Sequence, residues 1–174
     1  MIRVNNKLWI IADTHFAHGN IIKFQQRPKN HEFIMVGNWA SRVGERDQIL
    51  HLGDVSMGGT EVRQRWLNII KRLPGEKYLL MGNHDKAKDD FAGAGFTVLE
   101  EFVTKGIAFS HRPATEDRYD EEGNDWVVNI HGHTHANVYD PAHDGILLKD
   151  RKYINVCVEH TNLSPVQLGQ VYPL

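Results

Sequence analysis

Cysteine is almost absent from this chain: Cys157 stands alone in 174 residues. That excludes an intrachain disulfide and any zinc site built from thiolates. Long hydrophobic runs are missing as well. After Lys7 comes only Leu8-Trp9-Ile10-Ile11-Ala12, too short for a signal segment or a membrane span. The expectation is a cytoplasmic protein without a membrane partner. There is no block of Lys or Arg, and 20 basic residues against 22 acidic ones leave a formal charge of −2. A protein gripping long duplex DNA by its phosphates needs a basic track, so that class is disfavoured, while small nucleotides and short strands stay open. No repeat, low-complexity stretch or linker divides the sequence. One domain over residues 1–174 is expected, long enough to bury most of its apolar surface in one core. Hydrophobic residues at 41% and charged residues at 24% are ordinary for a soluble globular domain.

The excess is in histidine, at 11 residues, and its distribution carries the chemistry. Five short polar motifs occur in order: Asp13-Thr14-His15, Gly53-Asp54, Gly82-Asn83-His84-Asp85, Ser110-His111 and Gly132-His133-Thr134-His135. Four of the five closely follow an apolar run. In an open α/β sheet such runs are strands, and ligands bind at their carboxyl ends. Asp13 and His15 are two residues apart, as are His133 and His135. In extended backbone that spacing puts each pair on one face. The combined set of His, Asp and Asn, without thiolate, suits catalytic Mn, Fe or Zn better than structural zinc. Asp54 has two oxygens and can bridge two cations. Asn83 can offer its carbonyl oxygen, His84 can act as a proton donor, and Asp85 can hold the His84 ring.

The remaining pattern places these motifs. Residues 8–12, 48–52 and 77–81 read as buried strands. Helices are expected over 20–27, stopped by Pro28, and over 31–43, with Phe33, Val36, Ala40 and Val43 on one face. Thr60 can cap a helix whose stripe is Val62, Trp66, Ile69, Ile70 and Leu73, ended by Pro74-Gly75. A further helix begins within 85–93. The second half is richer in strands: 96–102 and 106–110 joined by a tight turn, then 126–130 and 153–158. Ser164-Pro165 fits a helix cap followed by proline at the first helical position. Strand–helix alternation followed by strands predicts mixed sheets packed face to face with helices outside.

At residues 13 to 135 the order Asp-x-His, Gly-Asp, Gly-Asn-His-Asp, lone His, Gly-His-x-His resembles the calcineurin-like metallophosphoesterases. The stretch Asp13-Thr14-His15-Phe16 through His18, Asn20, Ile21 and Ile22 resembles their small bacterial and phage branch. The resemblance implies an α/β fold of α+β-type layers, a double β-sandwich flanked by helices. It implies that Asp13, His15 and His135 bind one metal, that Asn83, His111 and His133 bind the other, and that Asp54 bridges them. His84 would stabilise the transition state or protonate the leaving group, with Asp85 behind it. The cofactor implied is a pair of divalent ions, manganese first, with iron, zinc, nickel or magnesium as alternatives. Two such ions, about 3.5–4 Å apart, lower the pKa of a bridging water and clamp phosphate oxygens; the hydroxide then attacks phosphorus in line.

Other positions carry two readings each. His18, Asn20 and Arg27 line the pocket mouth, or else Asn20 caps the first helix and Arg27 is its solvated end. Arg112 reaches a phosphate as a fork donor, or is an exposed loop arginine. His51 and His131 orient ligands or simply pack in the core. His31, His143 and His160 read as surface or loop residues, and Cys157 as core. The acidic segment 115–125 is an acidic rim or, preferably, a solvated loop. Arg63, Arg65, Lys71 and Arg72 form the polar side of a helix and need no partner. The expected activity is hydrolysis of phosphate esters, leaning to phosphodiesters. A protein or nucleotide phosphomonoesterase, a nuclease for short single strands and a non-catalytic scaffold are the alternatives. The substrate class is a nucleotide, short nucleic acid or phosphoprotein; the sequence is silent on oligomeric state.

Overall fold

The computed structural model describes residues 1–115, 126–137 and 152–174. Among them, two sheets stack with helices outside. Strands β1 (Trp9–Ile11), β2 (Gln48–His51), β3 (Glu76–Leu80) and β4 (Phe96–Leu99) run parallel, and β9 (Val166–Gln167) joins β1 antiparallel, giving the order β4-β3-β2-β1-β9. The second sheet is β5 (Phe102–Thr104), β6 (Ile107–Phe109), β7 (Val128–His131) and β8 (Lys152–Asn155), with β6, β7 and β8 parallel and β5 antiparallel to β6. Alternation along each strand sends side chains to opposite faces. From β1, Ile10 joins Leu50, Leu80, Phe109 and Ile130 in the layer between the sheets. Its neighbours Trp9 and Ile11 turn the other way, into a layer with Met35, Trp39, Leu67 and Ile70 from the helices. Strands buried on both faces explain why β1 and β2 read as continuous apolar runs.

The helices are α1 (Ile21–Phe24), α2 (His31–Arg42), α3 (Thr60–Lys71), α4 (Lys88–Gly93) and α5 (Leu168–Val171). Several expectations are corrected. The inward face of α2 is His31, Met35 and Trp39 at a spacing of four, and Phe33 is 69% exposed. His31 is therefore a buried helix-start residue, its Nδ1 3.1 Å from the Pro28 carbonyl. Trp39 sets the helix by donating Nε1–H to the Pro74 carbonyl at 3.0 Å. In α3 the N-cap is Gly59, not Thr60, and Trp66, Leu67 and Ile70 are buried while Val62 and Ile69 are exposed. Arg63 of its polar side does have a partner, Asp90 of α4 at 2.5 Å; Arg65 pairs with Glu61 in the open, which contributes little.

The stretch 96–102 is not one strand. It breaks at Glu100-Glu101 and passes from the first sheet to the second. After Ser164-Pro165 the chain forms β9 first, and α5 starts only at Leu168. Among the described residues no helix is long and apolar enough to cross a membrane. The acidic segment 116–125 and His143 lie outside the described residues.

Candidate metal centre

The parallel ladders of both sheets end together, and their pairing continues into the loops beyond. Asp13 N–H donates to the Gly53 carbonyl, His15 N–H to Asp54 and Phe16 N–H to Val55, each at 3.0 Å. Phe16 is fully buried and stacks on Trp66 of α3 at 5.1 Å between ring centroids. The loops after β1 and β2 are thus held as one unit by backbone bonds above and by a helix behind. From the other sheet, Val158 N–H reaches the Ala12 carbonyl at 3.2 Å, and Ala12 bridges Cys157 in parallel.

Within this crevice the structure brings together seven residues singled out from sequence. Ligand atoms of Asp13, His15 and His135 all lie within 4.8 Å of one another, and so do those of Asp54, His111 and His133. Asp54 Oδ2 sits between the two groups, 3.4 Å from His15 Nε2 and 3.6 Å from His111 Nε2. Asn83 Oδ1 is 3.0 Å from His111 Nε2. His111 Nδ1 faces the Leu52 carbonyl at 2.8 Å, which fixes that nitrogen as the N–H and leaves Nε2 with its lone pair. His84 donates its backbone N–H to Asp54 Oδ1 at 2.9 Å, and its half-buried ring lies 5.5 Å from that of His15.

The backbone that achieves this is not extended. Asp13, His15, Asp54, His133 and His135 all have φ between 49° and 67°, a left-handed conformation that is rare for such residues and concentrates at functional sites. The same-face argument for His133 and His135 fails for that reason: the two rings go to different groups. Two glycines allow the close approach of the loops. A Cβ on Gly82 would overlap Asp54 Oδ1, and one on Gly132 would overlap Asp13 Oδ2. Gly132→Ala is expected to displace Asp13 and cost about 3 kcal/mol. Gly93→Ala, in α4 with open space around it, should cost nothing. Thermal unfolding of both variants checks the contrast, and equal melting temperatures would refute it.

Electrostatics shift the two carboxyls in opposite directions. Burial pushes the Asp13 carboxyl up, but His15, His111 and His135 outweigh it and keep it well below the ordinary range. Asp13 Oδ2 also accepts the His133 N–H at 2.8 Å and the Cys157 thiol at 3.2 Å. Cys157 is therefore core, as expected, but its sulfur touches the site. Burial raises the Asp85 carboxyl to about 6. Asp85 does not hold the His84 ring. Its two oxygens accept the backbone N–H groups of Asp54 at 2.7 Å, Gly82 at 2.9 Å and Val55 at 2.9 Å. It clamps the Asp54 loop to the Gly82 loop.

The second circle of residues divides similarly. His51 is fully buried, with Nε2 3.0 Å from the Thr14 hydroxyl and Nδ1 accepting the Gly53 N–H at 3.2 Å; burial lowers its pKa to about 3. It joins the first two loops as a neutral ring. His131, also buried, has Nδ1 2.9 Å from the Gly132 carbonyl. His18 is half-buried beside His15, with ring centroids 5.5 Å apart. Asn20 is exposed at the N-cap position of α1 without a side-chain capping bond. Arg112 is half-buried next to His111, its carbonyl accepting from Ser110 Oγ. Arg27 is neither at the mouth nor a solvated helix end. It is 5% exposed and occupied by the carbonyls of Asp13 and Thr14 and by Glu159. Sequence reasoning passed over Glu159 altogether, although it follows the apolar run Val156-Cys157-Val158 just as the other motifs follow theirs.

Comparison with known proteins gives the family. The profile of the calcineurin-like phosphoesterases matches residues 6–102. An uncharacterized protein of Methanocaldococcus jannaschii is 34% identical over 172 residues, covering 97% of this chain and 90% of that protein. The gene 66 protein of Mycobacterium phage D29 is 24% identical over 160 residues, covering 76% of this chain and 80% of its own. The crystal structure of a protein of unknown function from Aquifex aeolicus superposes with a TM-score of 0.72 at 29% identity, covering 94% of this chain and 96% of that one. With the profile spanning more than half of the sequence, this chain belongs to the calcineurin-like phosphoesterase family.

Proposed function

We propose that this protein hydrolyses phosphate esters, diesters ahead of monoesters, at a centre of two divalent ions, with manganese the first choice. The observation that carries the reading is Asp54 Oδ2 lying between two triads of ligand atoms. Asp13, His15 and His135 would hold one ion, and Asn83, His111 and His133 the other, with Asp54 shared. The residues fit such a pair. Asp13 Oδ1 and both ring nitrogens of His15 are buried with no hydrogen-bond partner among the described residues, a costly state unless something else satisfies them. Around His111 Nε2, a lone pair faces the oxygens of Asn83 and Asp54, so acceptors converge with no donor between them. Cations held by these residues would satisfy Asp13 Oδ1, one His15 ring nitrogen and the oxygens around His111 Nε2. Oxygen and imidazole donors without thiolate suit Mn or Fe.

When bound, the ions would supply an activated water and stabilise charge on the phosphoryl oxygens. The chain's own residues do the rest. His84, pinned through its backbone to Asp54, would donate a proton to the leaving oxygen. His18, beside His15, and Arg112, next to His111 in the chain, would contact the phosphate, Arg112 as a fork donor. Asn20 stands exposed at the rim beyond His18. The substrate class is a nucleotide or short nucleic acid, with phosphoproteins second, and the place of action is the cytoplasm.

A paired assay tests this. Metal-free protein is reloaded with Mn²⁺ and given an aryl phosphomonoester or a bis-aryl phosphodiester, with Asp54→Asn as the blank. Diester turnover that disappears in the blank is the expected result. A monoester preference would move the assignment to a phosphatase. No turnover of either substrate, with two ions bound, would leave a scaffold of the same fold.

A further inference from the structure

We propose that Glu159 and Arg27 are positioning residues for the His135 side of the metal centre, an inference that rests on the two-ion reading above. His135 has two ring nitrogens with different tasks. Nε2 points toward Asp13, 3.7 Å from Oδ1, and Nδ1 lies 3.2 Å from Glu159 Oε1. A carboxylate on Nδ1 fixes that nitrogen as the N–H and leaves Nε2 as the ligand. The Glu159 side chain is 8% exposed and comes from the turn that follows β8, a segment that supplies none of the seven candidate ligands.

Arg27 connects this carboxylate to the opposite loop. Its Nε and Nη2 reach Glu159 Oε1 at 2.8 and 2.5 Å. Its Nη1 donates to the Thr14 carbonyl at 2.8 Å and its Nη2 to the Asp13 carbonyl at 2.7 Å. The guanidinium fork thus ties the loop carrying Asp13 and His15 to Glu159, and through Glu159 to the His135 ring. A lysine has no such fork. The backbone of His135 is fixed separately, since its carbonyl accepts from Asn155 Nδ2 at 2.9 Å and faces His160 Nε2 at 2.7 Å. With the backbone already held, the remaining freedom of His135 is ring rotation and tautomer, and Glu159 settles both. Burying an ion pair is a weak source of stability, and apolar replacements of similar volume are often neutral. The geometry therefore serves the centre rather than the fold.

The experiment uses the full chain, ion-free, titrated with Mn²⁺ by calorimetry and with Co²⁺ by visible absorption. The variants are Glu159→Gln and the double variant Arg27→Met/Glu159→Leu, which removes both charges together. In the wild type two ions bind. In both variants one ion is expected to bind about 10–100-fold more weakly while the other keeps its affinity. Nitrogen-detected NMR of His135 in the ion-free double variant should show the Nδ1–H tautomer giving way to a mixture. A shift in melting temperature with both affinities within twofold of wild type would overturn the proposal and make the pair structural. If the double variant does not fold, Glu159→Gln decides by the same criterion. Absence of ions from the wild type would overturn the two-ion reading itself, a result distinct from failure of the variants alone.

Discussion

Asp54→Asn is expected to abolish the second ion and hydrolytic turnover together, a fall of about a thousandfold or more. Asparagine keeps the volume of a side chain that is 2% exposed, and its carbonyl can still accept the His84 N–H. What it removes is the charge on the oxygen between His15 and His111. A shared carboxylate offsets repulsion between two cations, so losing it weakens both sites at once. His84→Ala is the counterpart. It leaves every proposed ion ligand in place and removes a proton donor, so ions should stay while rate falls by about 100- to 1,000-fold. The loss should be steeper on substrates with poor leaving groups, whose departing oxygen needs the proton most. Ion content by elemental analysis, read beside turnover and melting temperature, separates the two variants. An Asp54→Asn protein with two ions and full turnover would sink the bridging role. A fully active His84→Ala protein would sink the acid.

Much of the architecture was legible because strands such as β1 and β2 are buried on both faces and run into polar motifs. Runs such as Leu8–Ala12 and Gln48–Leu52 have no other comfortable reading. What periodicity could not give is which sheet a strand joins. Phe96 to Phe102 is apolar enough to be one strand, and only the packing of Phe96 among the helices and of Phe102 between the sheets separates its two halves. The same limit applies to α2. Its inward face includes His31, a polar residue that apolar counting leaves out, while Phe33 is exposed and meets Trp66 only at its edge. At the site, residue types and chain order pointed to one crevice, because metal-ligand chemistry at strand ends is local information. The backbone there was not foreseen: left-handed φ at Asp13, His15, His133 and His135 replaces the extended geometry that spacing suggested. Glu159 lies 24 residues from His135 and 132 from Arg27, and no local pattern joins partners so far apart in sequence.

Asp85 gives the second large effect, and it discriminates between the sequence and structural accounts of one residue. If its task were to hold the His84 ring, Asp85→Ala would slow turnover and leave stability nearly untouched. The observed contacts predict the reverse order of events. The carboxylate is buried and accepts three backbone N–H groups, from Asp54, Val55 and Gly82. Alanine strands all three donors where water has little access, and each buried unsatisfied donor costs about 1–3 kcal/mol. Partial relaxation of the loops should leave a net loss of about 3–5 kcal/mol, a large share of a domain's whole stability. Asp85→Asn keeps one acceptor oxygen, enough for the paired Asp54 and Gly82 donors, but turns an amide N–H₂ toward Val55. It should lose about 1–2 kcal/mol. Because the clamp ties Asp54 to the Gly82 loop, the ions should also bind more weakly in both variants, in the same order as the stability loss. Urea unfolding of ion-free protein gives the first quantity and Mn²⁺ titration the second. An Asp85→Ala protein of wild-type stability with a slowed rate would return Asp85 to the role of orienting His84.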